Sequence, residues 1–118
     1  MKAIVRVSKS FKRLAKPLLR KYPSLIGELR QLENELSENP RKGIALGHDA
    51  YKIRIRVRSK GKGKSGGLRV ISKVDTEIIG LLEKDGSNLI VTLISIYDKA
   101  ETPSLKDTEL LQLIAKML

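Results

Sequence analysis

Apolar residues along this chain alternate or recur in short segments that can be assigned one at a time. Ala3-Ile4-Val5-Arg6-Val7 is rich in β-branched side chains and reads as a first strand. Ser8 or Ser10 then stands where a helix cap belongs. Phe11, Leu14, Ala15, Leu18, Leu19 and Tyr22 recur at helical spacing and define one apolar face, with Lys12, Arg13, Lys16 and Arg20 mostly on the other. Pro17 falls past the first turn of this pattern, so a kink or break is expected there. Tyr22-Pro23-Ser24 makes a tight connection, with Ser24 capping a second helix. Leu25, Leu29, Leu32 and Leu36 form its apolar stripe, Glu28, Glu33, Glu35 and Glu38 are expected to be solvated, and Asn39-Pro40 stops it. Two helices joined so closely, each apolar on one side, should form an antiparallel hairpin that needs a surface to cover.

That surface follows in the sequence. Tyr51 to Arg58 alternates, with Ile53, Ile55 and Val57 on one side and Lys52, Arg54, Arg56 and Arg58 on the other. Leu68 to Val74 reads as a further strand. Ser87 to Tyr97 reads as another, apolar on both sides (Leu89, Val91, Leu93; Ile90, Ile94, Ile96), entered by a turn at Lys84-Asp85-Gly86-Ser87. Thr76 to Glu83 extends one arm of that hairpin or adds a short element, with Gly80 a candidate bulge. Ser104-Leu105-Lys106-Asp107 is a capping box ahead of a C-terminal helix carrying Leu110, Leu111, Leu113, Ile114, Met117 and Leu118. The expected fold is α+β: a first strand and a helical hairpin on one face of a mainly antiparallel sheet of four or five strands, closed by a C-terminal helix. At 118 residues one domain spans the chain, 1–118.

Composition narrows the chemistry. With no cysteine there is no disulfide framework, zinc finger or thiol nucleophile, and a single histidine excludes His-based metal clusters. Met1 to Ser10 is basic but lacks the apolar centre of a signal peptide, and no apolar run approaches membrane-spanning length.

The net charge is +11, and it is clustered. Residues 1–27 hold eight cations and no acid; residues 50–74 hold nine and again no acid. Charge of one sign this concentrated repels itself and fits an anionic partner, most commonly nucleic acid. Lys52 to Arg58 would span roughly 20 Å as a strand, near three phosphate spacings of a single strand. Charge on an edge strand also guards against aggregation, but three arginines suited to bidentate phosphate binding suggest more than protection.

The loop that follows, Ser59-Lys60-Gly61-Lys62-Gly63-Lys64-Ser65-Gly66-Gly67, adds charge on a backbone that glycine lets approach a phosphate, or is simply a hairpin tip. Its Gly63-Lys64-Ser65 imitates the end of a nucleotide P-loop, yet position 58 is Arg rather than Gly and a strand follows instead of a helix. His48, beside Asp49 in a turn, reads as a local hydrogen-bonding group or a catalytic imidazole. Tyr97 and Tyr51 fit either packing with a wet hydroxyl or a role in the site.

Taken in order, Phe11…Leu14…Lys21-Tyr22-Pro23-Ser24-Leu25, Asn39-Pro40…Gly43…Leu46-Gly47, Tyr51-Lys52-Ile53-Arg54, the run Lys60 to Gly67 with Arg69-Val70-Ile71, and Ile96-Tyr97-Asp98-Lys99-Ala100-Glu101 cover nearly the whole chain. In this the chain resembles the RelE/HigB superfamily of toxins from bacterial toxin–antitoxin systems, in its HigB-like branch. It departs from that family's usual pattern in the longer stretch Ser72 to Ser87 and in Leu68.

The resemblance implies a cytoplasmic, ribosome-dependent mRNA endoribonuclease that cuts in the ribosomal A site and inhibits translation, with no metal and no cofactor. The RNA 2′-hydroxyl would attack the adjacent phosphorus, leaving a 2′,3′-cyclic phosphate and a 5′-hydroxyl. Arg54, Arg56 and Arg69 would contact the scissile phosphate, and Tyr97, Lys64 or Lys99 would serve as base. Lys52, Arg58, Lys60, Lys62 and Lys73 would grip messenger or ribosomal backbone. Partners implied are an acidic or DNA-binding antitoxin and, through it alone, operator DNA, with no membrane. Rival readings are a gyrase inhibitor of the ParE branch and a non-catalytic nucleic-acid-binding protein of the same fold.

Overall fold

The structure is a computed structural model and describes residues 3–60, 67–78 and 87–98, together with Gln112. In chain order the elements are β1 (Ile4–Val7), α1 (Lys9–Lys21), α2 (Leu25–Glu38), β2 (Ile44–Gly47), β3 (Ala50–Ile55), a 3-10 turn at Arg58–Lys60, β4 (Leu68–Ile78) and β5 (Ser87–Asp98). The strands form one five-stranded mixed sheet in the order β1-β5-β4-β3-β2, with β1 parallel to β5 and the other neighbours antiparallel. The fold is therefore α+β. The expected C-terminal helix from Ser104 to Leu118 lies outside the described residues, Gln112 excepted, as do the Gly80 bulge and the turn residues 84–86.

Ser8 supplies the cap of α1, its Oγ accepting from the Phe11 N–H at 3.0 Å. The helix then runs unbroken through Pro17, against the break its sequence suggests. Proline cannot donate to the carbonyl of Arg13 four residues back, but both residues are exposed, so that carbonyl is left to solvent rather than buried without a partner. Phe11, Ala15 and Leu18 of α1 and Leu25, Leu32 and Leu36 of α2 pack onto Ile53, Ile55, Val70, Val91, Leu93 and Ile96 of the sheet. Leu14, assigned to the same face by spacing, is exposed. Across the sheet, Ala50, Ile71 and Ile94 form a second buried cluster with Leu46 and Tyr97 against it, so the face away from the helices is not bare.

β2 has no counterpart in the sequence pattern. It is four residues long and pairs with β3 at the sheet's edge, where Ile44 is exposed and no alternation is required. The hairpin joining it to β3 turns at His48 and Asp49, both at positive φ (55° and 58°), the backbone form of a type I′ turn.

The pairing of β4 with β5 slips between Ile71 and Ser72: Ile71 faces Ser95 and Ser72 faces Leu93, so Ile94 has no opposite residue. The bulge exchanges the faces of β5 beyond it. Ile96 consequently joins Leu89, Val91 and Leu93 in the helix-side core, against the alternation expected for this strand. The Ile94 carbonyl accepts from the hydroxyls of Ser8 (3.3 Å) and Ser10 (3.1 Å), so the first residues of α1 satisfy the bulge.

Candidate nucleic-acid interface

Three residues meet directly across three strands. In β3 and β4 Arg54 lies opposite Arg69, and in β4 and β5 Arg69 lies opposite Tyr97. Residues paired in this way share a face, with Cβ atoms about 4.5–5.5 Å apart. The next ladder row on that face is Lys52, Ile71, Ser95, and the one after it Ala50, Lys73, Thr92. Lys52, Arg54, Arg69, Lys73 and Tyr97 thus project from the side of the sheet away from the helices. Tyr97 reaches this face because of the bulge; unbroken alternation would have placed it with Leu89, Val91 and Leu93.

Within this row the environments differ. Arg69 is nearly enclosed, at 8% exposure, whereas Arg54 is exposed and Tyr97 half-buried against the Ala50, Ile71 and Ile94 cluster. Lys52, Arg54, Arg69 and Tyr97 each make a polar, ionic or ring contact. Like charges directly opposite one another in a ladder are unfavourable, and an anion between them offsets this. Lys73 is paired with Asp75 at 2.6 Å.

The basic strand ends earlier than its alternation implies. Ile55 opposite Leu68 is the last pair, and Arg56 and Arg58 lie beyond it. Just past this pair Gly67, at φ +76°, packs so close to Ile55 that a Cβ there would run into the Ile55 carbonyl oxygen. Val57 then folds into the helix-side core, keeping the burial rhythm without the strand. Arg54, Arg56 and Arg58, with Lys42, Glu28, Gln31, Leu32, Glu35 and Ile55, line a pocket of about 370 Å³ between α2 and β3. Arg56 and Arg58 therefore belong to a neighbouring groove, which Arg54 joins to the Arg69–Tyr97 row.

The root of the Gly/Lys loop is fastened at two places. Ser24 and Ser59 form a reciprocal clasp: the Ser59 N–H donates to Ser24 Oγ at 2.9 Å and the Ser24 N–H donates to Ser59 Oγ at 3.1 Å. Glu28 accepts from the Ser24 hydroxyl at 3.0 Å and from the Arg58 N–H at 2.9 Å. Glu28 is thus not the solvated helix residue its position suggests. Lys60, assigned by the resemblance to grip RNA, instead donates its ammonium to Asp98 Oδ1 at 2.8 Å, their side chains 13% and 2% exposed. The other oxygen of Asp98 accepts from the Tyr22 hydroxyl at 3.1 Å. Lys60 is committed to the interior.

Lys62, Lys64 and Lys99 lie outside the described residues. The strand from Leu68 directly after the loop agrees with rejecting a P-loop, which would open a helix. His48 is exposed at its hairpin tip, on the β2 side of the sheet, and Tyr51 packs against the helix-side core. Among the described residues no group of three or more His, Cys, Asp or Glu side chains could hold a metal ion, and no helix is long and apolar enough to cross a membrane. Asp98, Tyr22, Glu28, Ser24 and Ser59 form the supporting network that spacing alone does not reveal; the one signal for it is a lone acid closing an apolar strand beside Tyr97. No protein-family model matches this sequence, and no curated protein matches it.

Proposed function

We propose that this chain is a metal-independent endoribonuclease of the RelE/HigB toxin type, cutting mRNA on the ribosome and arresting translation. The observation that carries the reading is the register aligning Arg54, Arg69 and Tyr97. Cleavage by the RNA's own 2′-hydroxyl asks three things of a protein: hold the strand in line, stabilise charge growing on the phosphoryl oxygens, and move two protons. Arg54 and Arg69 supply paired donors for the phosphoryl oxygens. Tyr97, next in the row, takes the proton from the 2′-hydroxyl or passes it on, with Lys64 and Lys99 as alternatives for that role. Arg56 and Arg58 hold the adjoining nucleotide in the groove beside α2, and Lys52 and Lys73 contact backbone. The two-helix layer on the opposite face and the mixed sheet agree with the fold the resemblance implies. A protein of charge +11 with this activity is held in check by an acidic antitoxin covering the row, and reaches operator DNA only through it.

The test is purified chain added to ribosomes translating a defined message, with ends mapped by primer extension. New 5′-hydroxyl ends within the A-site codon are expected, lost in Tyr97→Phe and in Arg54→Ala with Arg69→Lys while far-UV circular dichroism stays unchanged. Intact message with growth arrest and lost gyrase supercoiling would reject the ribonuclease reading in favour of the ParE-like one. Binding without cleavage or arrest would reject both.

A further inference from the structure

We infer that the solvent face of α1 is a second nucleic-acid contact, a sequence-blind ridge for the phosphate backbone of duplex RNA. At 100° per residue, Lys9, Lys12, Arg13, Lys16 and Arg20 fall within an arc of about 100° and extend about 16 Å along the axis. All five are exposed, and among the described residues none is paired with a carboxylate. The helix carries no acid in its first turn, where its dipole favours one, and instead places cations there. Lys9 with Arg13, Lys12 with Lys16, and Lys16 with Arg20 are like-charged pairs four apart, each unfavourable in an isolated helix. Such an arrangement weakens α1 unless an external anion neutralises it.

The ridge's chemistry selects the partner. The aromatic residues at either end of α1, Phe11 and Tyr22, are buried in the core, which leaves no platform on which single-stranded bases could stack. Three of the five cations are lysines, and no apolar or aromatic anchor lies among them, unlike the centre of a protein–protein interface. No Asn or Gln stands on the ridge to read adenine edges, so its residue types favour backbone contact over base readout. A straight row of point charges suits the phosphates flanking an A-form helix, which is recognised by shape and backbone. The choice of RNA over DNA also rests on the ribonuclease reading; the ridge itself does not. Because α1 packs on the side of the sheet opposite Arg54, Arg69 and Tyr97, a single strand lying on that row does not also lie along the ridge. The two surfaces together fit a large structured RNA that presents a strand to one face and a duplex to the other.

The experiment measures fluorescence anisotropy of a blunt 20-base-pair RNA duplex against salt concentration, for wild type and for Lys12→Gln/Arg13→Gln/Lys16→Gln/Arg20→Gln. The slope of log affinity against log salt is expected to become shallower by about 3–4, near 0.9 for each phosphate no longer neutralised. Urea unfolding verifies that the variant is folded. Arg54→Ala with Tyr97→Phe should change the slope by about one or less. An unchanged slope in the folded four-site variant overturns the inference. So does a slope lost on a DNA duplex but kept on RNA, or lost binding to a poly-glutamate peptide with duplex binding intact. If mRNA is never cut yet the slope is lost, the ridge stands and only the ribonuclease reading falls.

Discussion

The ion pair of Lys60 with Asp98 separates two accounts of the same lysine. If Lys60 serves RNA, removing its charge weakens binding and leaves the fold alone; if it serves Asp98, the fold loses stability. At 2.8 Å the Coulomb attraction at an effective dielectric constant near 20 is about 6 kcal/mol before desolvation is counted. Lys60→Met takes the ammonium from a carboxylate whose side chain is 2% exposed and which also accepts from the Tyr22 hydroxyl. Breaking a buried pair in this way costs about 3–5 kcal/mol, and the partial exposure of Lys60 places the expectation near the lower end, about 3 kcal/mol. For 118 residues that corresponds to a drop in Tm of about 12 °C. The assay is urea unfolding followed by far-UV circular dichroism, for Lys60→Met, Asp98→Asn and the double variant. Removing both charges should recover at least about 1.5 kcal/mol relative to the sum of the single losses. A loss below about 0.5 kcal/mol for Lys60→Met, with coupling near zero, would refute the buried clamp and return Lys60 to the surface.

Tyr22→Phe removes a hydroxyl that donates to the Asp98 carboxylate and should cost about 1.5–3 kcal/mol in the same unfolding assay. Gly67→Ala forces a Cβ onto the Ile55 carbonyl at positive φ; a loss of at least about 2 kcal/mol, or failure to fold, is expected on thermal melting. Ser72→Ala should be neutral or stabilising by up to about 1 kcal/mol on thermal melting, because the buried Ser72 hydroxyl has no hydrogen-bond partner among the described residues to lose. Ser10→Ala leaves the bulge carbonyl of Ile94 with the longer bond from Ser8 and should cost about 1 kcal/mol by urea unfolding.

Local pattern is enough to place both helices, the Ser8 cap, β1, and the cores of β3, β4 and β5, because each buries residues at its own period. Ser24 stands at the start of α2 but makes no side-chain cap bond, its hydroxyl meeting Glu28 and Ser59 instead. The pattern is not enough to end β3. Ile53, Ile55 and Val57 are all buried, so the alternation continues through Val57 although the strand stops at Ile55, where Gly67 packs against the Ile55 carbonyl. Nor does the pattern show that Lys60, one of several lysines alike in spacing, meets Asp98, because Asp98 lies 38 residues away. Glu28 misleads for the same reason: a helical wheel sees its neighbours on α2 but not Arg58, 30 residues on. On the site itself, sequence identifies Lys52, Arg54, Arg69 and Tyr97 as residue types suited to phosphate chemistry. It does not set their register.

That register depends on one inserted residue. Between Asp98 and Ser95 the strand pairs with β4 in one phase, and from Leu93 onward in the other. Were Ile94 paired in regular alternation instead of bulged, a phase set by Leu89, Val91 and Leu93 in the core would turn Tyr97 inward and put Ile96 opposite Arg69. A bulge costs ladder hydrogen bonds and persists where other groups satisfy the freed backbone. Here the donors come from Ser8 and Ser10, at the start of the helix whose far end places Tyr22 on Asp98. The same helix thus holds β5 on both sides of Tyr97, three residues before it and one residue after. The tyrosine's place beside Arg69 follows from two polar attachments of α1, and not from any preference of β5 for its own register.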